Sequence, residues 1–130
     1  MADKTQVALL KQSVEAWNRW RAQHADTRPD LSNAHLYGLD LVEANLAGAD
    51  LRNADLRGTV LGNAKLAGAD LGGADFFRAV LDGADLSDAN LHGARFLGCQ
   101  QLLAARHWQS CRRDPELACG GPLPQRPEAP

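Results

Sequence analysis

Residues 29–98 read PDLSN AHLYG LDLVE ANLAG ADLRN ADLRG TVLGN AKLAG ADLGG ADFFR AVLDG ADLSD ANLHG ARFLG, fourteen pentads in one unbroken frame. The third position is always Leu or Phe: Leu31, Leu36, Leu41, Leu46, Leu51, Leu56, Leu61, Leu66, Leu71, Phe76, Leu81, Leu86, Leu91 and Phe96. The first position is Ala in eleven pentads, with Pro29, Leu39 and Thr59 as the exceptions. A period of five suits neither a helix, which repeats its apolar face at spacings of three and four, nor a strand, which alternates. A chain that turns its apolar residue inward once per pentad winds into a solenoid. One turn alone cannot bury its interior, so stacking of neighbours makes the core.

These pentads resemble the A(D/N)LXX motif of the pentapeptide-repeat family. The resemblance covers residues 29–98 and implies an all-β solenoid, a right-handed quadrilateral β-helix with four pentads per coil. Fourteen pentads give about 3.5 coils, only ~15 Å tall at the usual inter-strand spacing. Residues twenty apart should stack, which puts Phe76 and Phe96 in one inward column and in contact. All fourteen third-position residues are expected in the core, each contributing on the order of 2 kcal/mol before entropy.

The flanks read as caps. From about Thr5 to His24, Val7, Leu10, Val14 and Trp17 fall on one face of an amphipathic helix. Pro29 excludes its continuation through Arg28. Such a helix laid across the first coil would cover unpaired backbone and core leucines that invite aggregation. After Gly98, QQLLAARHW reads as a short helix, and Asp114-Pro115-Glu116 as the start of another. Both flanks resemble the helical caps of small bacterial members of the family. The expected divisions are an N-terminal cap over 1–28, the β-helix over 29–98, a C-terminal cap over 99–119 and a disordered proline-rich tail over 120–130.

The formal charge of −2 implies no strong attraction to nucleic acid or to an anionic membrane. No apolar run approaches the length of a membrane span, and the N-terminal stretch lacks the apolar segment of an export signal. Three cysteines without such a signal suggest reduced thiols and a cytoplasmic protein. His107, Cys111 and Cys119 lack the spacing of a zinc site. The serines lie in no nucleophile motif, and no phosphate-binding loop is present. No metal, cofactor or enzymatic activity is expected.

Aspartates at the second position, Asp30, Asp40, Asp50, Asp55, Asp70, Asp75 and Asp85, recur because Asp and Asn suit the residue beside a turn. Ten acids against five bases give the repeats a charge of −5. The outward apolar residues say more. Tyr37, Phe77 and Leu97 share the fourth position of one column, and Val60 and Val80 lie around the next corner. Together they form a candidate protein-interaction patch, unless the C-terminal segment folds over it. Two functions are expected from this. One is a scaffold that binds another protein, as a monomer or weak dimer. The alternative draws on the family resemblance: one branch protects DNA gyrase by mimicking duplex DNA. The short coil and the interrupting Arg57, Lys65 and Arg95 weigh against it.

Overall fold

The computed structural model describes residues 2–124. Parallel bridges join residues twenty apart: Asp30 to Asp50 to Asp70 to Asn90, His35 to Asp55 to Asp75 to Arg95, Asp40 to Val60 to Val80, and Asn45 to Lys65 to Asp85. Four pentads therefore close one turn of a four-sided coil. These columns number its sides, one to four, in that order. Each pairing is a single-residue bridge rather than a continuous strand, so the all-β expectation needs correcting on this point. The physical reason is that a turn follows every few extended residues. The backbone N–H of Leu31 donates to the Asp50 carbonyl at 2.8 Å, and that of Asp50 to the Pro29 carbonyl at 2.8 Å. The pattern repeats down the rod.

Every corner is a turn in which the first-position N–H of the next pentad donates back to the third-position carbonyl, as Ala34 does to Leu31 at 3.1 Å. The fifth residue takes a positive φ from Asn33 through Gly93 without exception, as a type II turn requires. Glycine and asparagine tolerate this. Glu43 and Arg78 do so at a cost of about 1 kcal/mol each.

Thirteen of the fourteen third-position side chains are buried, from Leu31 to Leu91, with the first-position alanines filling the corners. Thr59 is also buried, and its hydroxyl donates to the Leu36 carbonyl at 3.0 Å. The exception is Phe96. Its φ of +55° places the left-handed residue two positions early, whereas Gly98 has φ −111°. The ring swings out to 62% exposure and does not join Phe76 in the interior. Leu97 packs against the core instead. The next residues enter a helix, so no further coil holds Phe96 to the square path.

The N-terminal segment is two helices, α1 (Lys4–Gln12) and α2 (Val14–Gln23), not one. Ser13 breaks them. Its backbone is extended, and its hydroxyl accepts the Ala16 N–H at 2.9 Å as the cap of α2. Leu10 and Trp17 are buried against the first coil. Polar side chains then pair the coil's open backbone edge. Trp17 Nε1 donates to the Asn45 carbonyl at 2.8 Å, and Asn18 bridges the Asn45 N–H and the Glu43 carbonyl at 2.7 and 3.0 Å. Gln6 Oε1 accepts the Asp30 N–H at 2.8 Å, and Arg21 donates to the Ala47 carbonyl at 2.7 Å.

At the other end the ladder runs past Gly98. Arg106 bridges to Asp85 and Arg112 to Asn90. The intervals are longer than twenty because α3 (Cys99–Leu103) and a 3₁₀ turn at Trp108–Ser110 are spliced into the coil. A second 3₁₀ turn spans Pro115–Leu117. Asp114 does not cap it with its side chain, as the sequence suggests; it accepts the Gly93 N–H at 3.0 Å and meets His92 Nδ1 at 2.7 Å. Cys99 and Cys119 form a disulfide with Cα atoms 5.5 Å apart. The expectation of reduced thiols is therefore corrected, and the cysteine argument for a cytoplasmic setting falls with it. Neither cysteine of that bond can serve as a metal ligand, and the Cys111 thiol is buried. Arg113, itself buried, donates to the carbonyls of Gln109, Leu117, Ala118 and Pro122. The start of the presumed disordered tail is thus tied down, and residues 125–130 lie outside the described residues.

Candidate interaction surface

The turn that closes each pentad positions the outer side chains. The second-position Asp or Asn accepts the backbone N–H two residues on. Asp30, Asp40, Asn45, Asp50, Asp55, Asp70, Asp75, Asp85 and Asn90 all do so, at 3.0 to 3.2 Å. This Asx geometry holds the second and fourth residues on the same side of the prism. Where the fourth residue is arginine, a fork closes. Arg52 grips Asp50 at 2.9 and 2.8 Å, and Arg57 grips Asp55 at 2.8 Å through both contacts. These hydrogen bonds hold the Asp50 and Asp55 carboxyls below the usual range. Hydroxyl donation from Ser32 and Ser87 does the same for Asp30 and Asp85.

The fourth-position column of side two carries the aromatic residues. Tyr37 is 67% exposed and Phe77 46% exposed. Phe96, displaced from the interior, packs edge-on to Phe77 with centroids 5.7 Å apart. Around the corner, Val80 is exposed and Val60 half-buried, one above the other. Of the five patch residues expected from sequence, four therefore line this ridge. Leu97 does not, because it turned inward in place of Phe96. Val42 on side three and Leu103 on α3 are also exposed and were missed from sequence. Gln101 of α3 donates to the Phe76 and Ala79 carbonyls at 2.9 and 3.0 Å, which seats the helix beneath the same corner. The one hint of the exchange between Phe96 and Leu97 lay downstream: CQQLL puts Gln101 at the third position, so no coil follows.

All six exposed large apolar residues among the described residues lie on sides two and three or on α3 below them: Tyr37, Val42, Phe77, Val80, Phe96 and Leu103. Second positions are polar on sides one, two and four, and valines take them only on side three. The described part of the C-terminal segment pairs with sides four and one, through Arg106 and Arg112, and leaves the ridge open. Three arginines stack on its rings. Arg57 lies over Tyr37 at 5.3 Å, Arg78 over Phe77 at 5.3 Å and Arg95 over Phe96 at 5.5 Å.

Comparison with known proteins identifies the repeats. The model of pentapeptide repeats matches eight copies over residues 30–63 and 60–98. A pentapeptide repeat protein from the Arabidopsis thaliana thylakoid lumen is 37% identical over 53% of this chain and 55% of its own, with a TM-score of 0.42. Rfr23 from the cyanobacterium Cyanothece 51142 is 34% identical over 68% of this chain and 59% of its own, at 0.43. HetL, involved in heterocyst differentiation regulation in Nostoc, is 32% identical over 63% of this chain and 41% of its own, at 0.27. The chain thus spans little more than half the length of the first two. No curated protein matches. The eight matched repeats, the twenty-residue register and the filled interior place this chain in the pentapeptide-repeat family, whose fold is a right-handed β-helix.

Proposed function

We propose that this protein is a non-enzymatic interaction module that docks another protein on the ridge between sides two and three. The observation that carries the reading is the confinement of the exposed large apolar residues to that region. Contiguous apolar surface of this kind marks interaction sites on otherwise polar proteins. Aromatic residues and arginine are the types enriched at interface hot spots. The rod's interior is filled and its backbone is hydrogen-bonded from coil to coil, so a surface built on it has little ordering entropy to lose on binding.

The test is affinity capture from the native host with the wild-type protein and with Phe77→Ser. Phe77 is exposed, so the substitution leaves the core intact. Loss of a specific partner in the variant is the expected result. Retention of every partner removes the ridge from the account.

The duplex-mimic reading draws on the stacked carboxylates of side one, Asp30, Asp50 and Asp70. Arg52 neutralises the middle one through its fork, and Arg57 does the same for Asp55 on side two. The acidic array is therefore weaker than the composition suggests. A gyrase supercoiling assay unaffected by micromolar protein discards this reading.

A further inference from the structure

Side two of the ridge, its aromatic flank, differs from the rest of the rod in charge as well as polarity. Arg57, Arg78 and Arg95 stand there against Asp55 and Asp75. The other three sides, side three with Asp40, Glu43 and Asp82 included, hold eight acids against Arg52 and Lys65. Arg57 already has a carboxylate in its fork. Arg78 and Arg95 pair with none among the described residues. Both are exposed and lie over rings, Arg78 over Phe77 and Arg95 over Phe96, at 5.3 and 5.5 Å from the centroids. A guanidinium held in this way loses little freedom on binding and accepts a planar carboxylate edge-on.

From this we infer that the partner's contacting segment is acidic, with carboxylates set among aliphatic side chains. The inference rests on the docking reading above and names its chemistry. The aliphatic groups cover Tyr37, Phe77, Phe96 and Val80, and the carboxylates meet Arg78 and Arg95. Single-stranded nucleic acid, the other ligand that uses arginine and aromatics, fits less well. It needs open ring faces for its bases, and here one face of each ring is taken by a guanidinium.

The experiment is selection of a displayed random peptide library on the immobilised protein, followed by fluorescence anisotropy of the selected peptides. Phe77→Ser, Arg78→Glu and Arg95→Glu are all at exposed positions, and circular dichroism and thermal unfolding verify that each variant is folded. Selected peptides should carry Asp or Glu next to Leu, Ile or Val. Their binding should fall by about tenfold or more with Arg78→Glu or Arg95→Glu, and should weaken as salt is raised. Exchanging the peptide carboxylates for lysine should restore binding to the Arg→Glu variants. Peptides lost with Phe77→Ser but indifferent to Arg78→Glu overturn the acidic partner and leave the docking surface standing. Absence of any peptide sensitive to Phe77→Ser overturns both. Displacement of the peptides by oligothymidylate overturns the choice of a protein partner.

Discussion

At the N-terminal end, side chains of α1 and α2 stand in for a missing coil; at the C-terminal end, the main chain itself continues the ladder. Both ends must satisfy the backbone groups that an open β-helix exposes. Trp17, Asn18, Gln6 and Arg21 do so at the start with donors and acceptors reaching down from helices. At the finish, the carbonyls of Ala104, Arg106 and Arg112 accept the N–H groups of Gly83, Leu86 and Leu91 at 2.8 to 2.9 Å. Each cap also buries one arginine. Arg21 leaves its Nε buried without a partner, and its burial lowers its pKa. Arg113 uses all three guanidinium nitrogens on carbonyls and lies over Trp108 at 5.0 Å. The N-terminal cap is thus held by packing and side-chain hydrogen bonds alone, while the C-terminal cap adds an arginine hub and a covalent link. The first should fail by undocking as a unit, the second by local loosening.

The interior between the caps sets the scale for both. Leu66→Asp buries a charge in a fully buried column and should cost more than ~3 kcal/mol. Urea unfolding that matches wild type would mean that the column does not point inward. Next in size is Trp17→Ala, which removes a buried indole and its bond to the Asn45 carbonyl. About 3–5 kcal/mol is expected. The exposed edge should also promote association, seen as a concentration-dependent mass in light scattering. A variant that stays monomeric would show that the helices are not what seals this end.

The disulfide sharpens the contrast. It closes a span of twenty residues in sequence, so Cys119→Ser should cost about 3 kcal/mol. Faster hydrogen exchange should be confined to residues beyond Gly98. Equal loosening of α1 and α2 would contradict the independence of the two ends.

A smaller effect separates the sides rather than the ends. The Asp50 carboxyl titrates below its unfolded value, chiefly because Arg52 hydrogen-bonds to it. Its contribution is complete above about pH 4, the ordinary carboxyl value, and fades as pH falls through the lowered folded value. Asp50→Asn keeps the Asx acceptor and loses the charge. Its urea midpoint should therefore fall less than that of wild type between about pH 4 and pH 2. Parallel curves would show that the fork contributes nothing.

Much of this was legible in the sequence because the pentad couples one residue to one direction. Wherever Ala-X-Leu recurs, neighbours above and below enforce the same orientation, and the thirteen buried side chains follow. Legibility failed where that enforcement ends. Phe96 has no coil beneath it, so turn geometry and not the frame decides whether Phe96 or Leu97 points inward. The break at Ser13 was hidden because Val7, Leu10, Val14 and Trp17 keep helical spacing in the sequence straight across it. The pairing of Cys99 with Cys119 depends on how α3 and the two 3₁₀ turns fold back, and no periodicity encodes that. The ridge was found from column arithmetic, although Arg57 and Arg95 were read only as interruptions of an acidic surface and Arg78 was given no role.

The smallest predicted change comes from the third cysteine. Arg112 donates its N–H to the Ala89 carbonyl at 2.9 Å, just as Asn90 does to Ala69 one coil earlier. Cys111 therefore occupies the place that alanine holds in the regular repeats, and it is fully buried there. Burial pushes its thiol up to about 11, so at neutral pH it behaves as a small apolar group. Cys111→Ala should shift stability by less than about 1 kcal/mol. The native protein should resist thiol-reactive dyes at mildly alkaline pH and react only on unfolding. A large loss of stability would mean that the irregular last half-coil relies on the sulfur itself, for instance through the contact of Sγ with the Trp108 carbonyl at 2.8 Å. The C-terminal cap would then depart from the repeat rule at its centre, and not only at the points where α3 and the 3₁₀ turns are inserted.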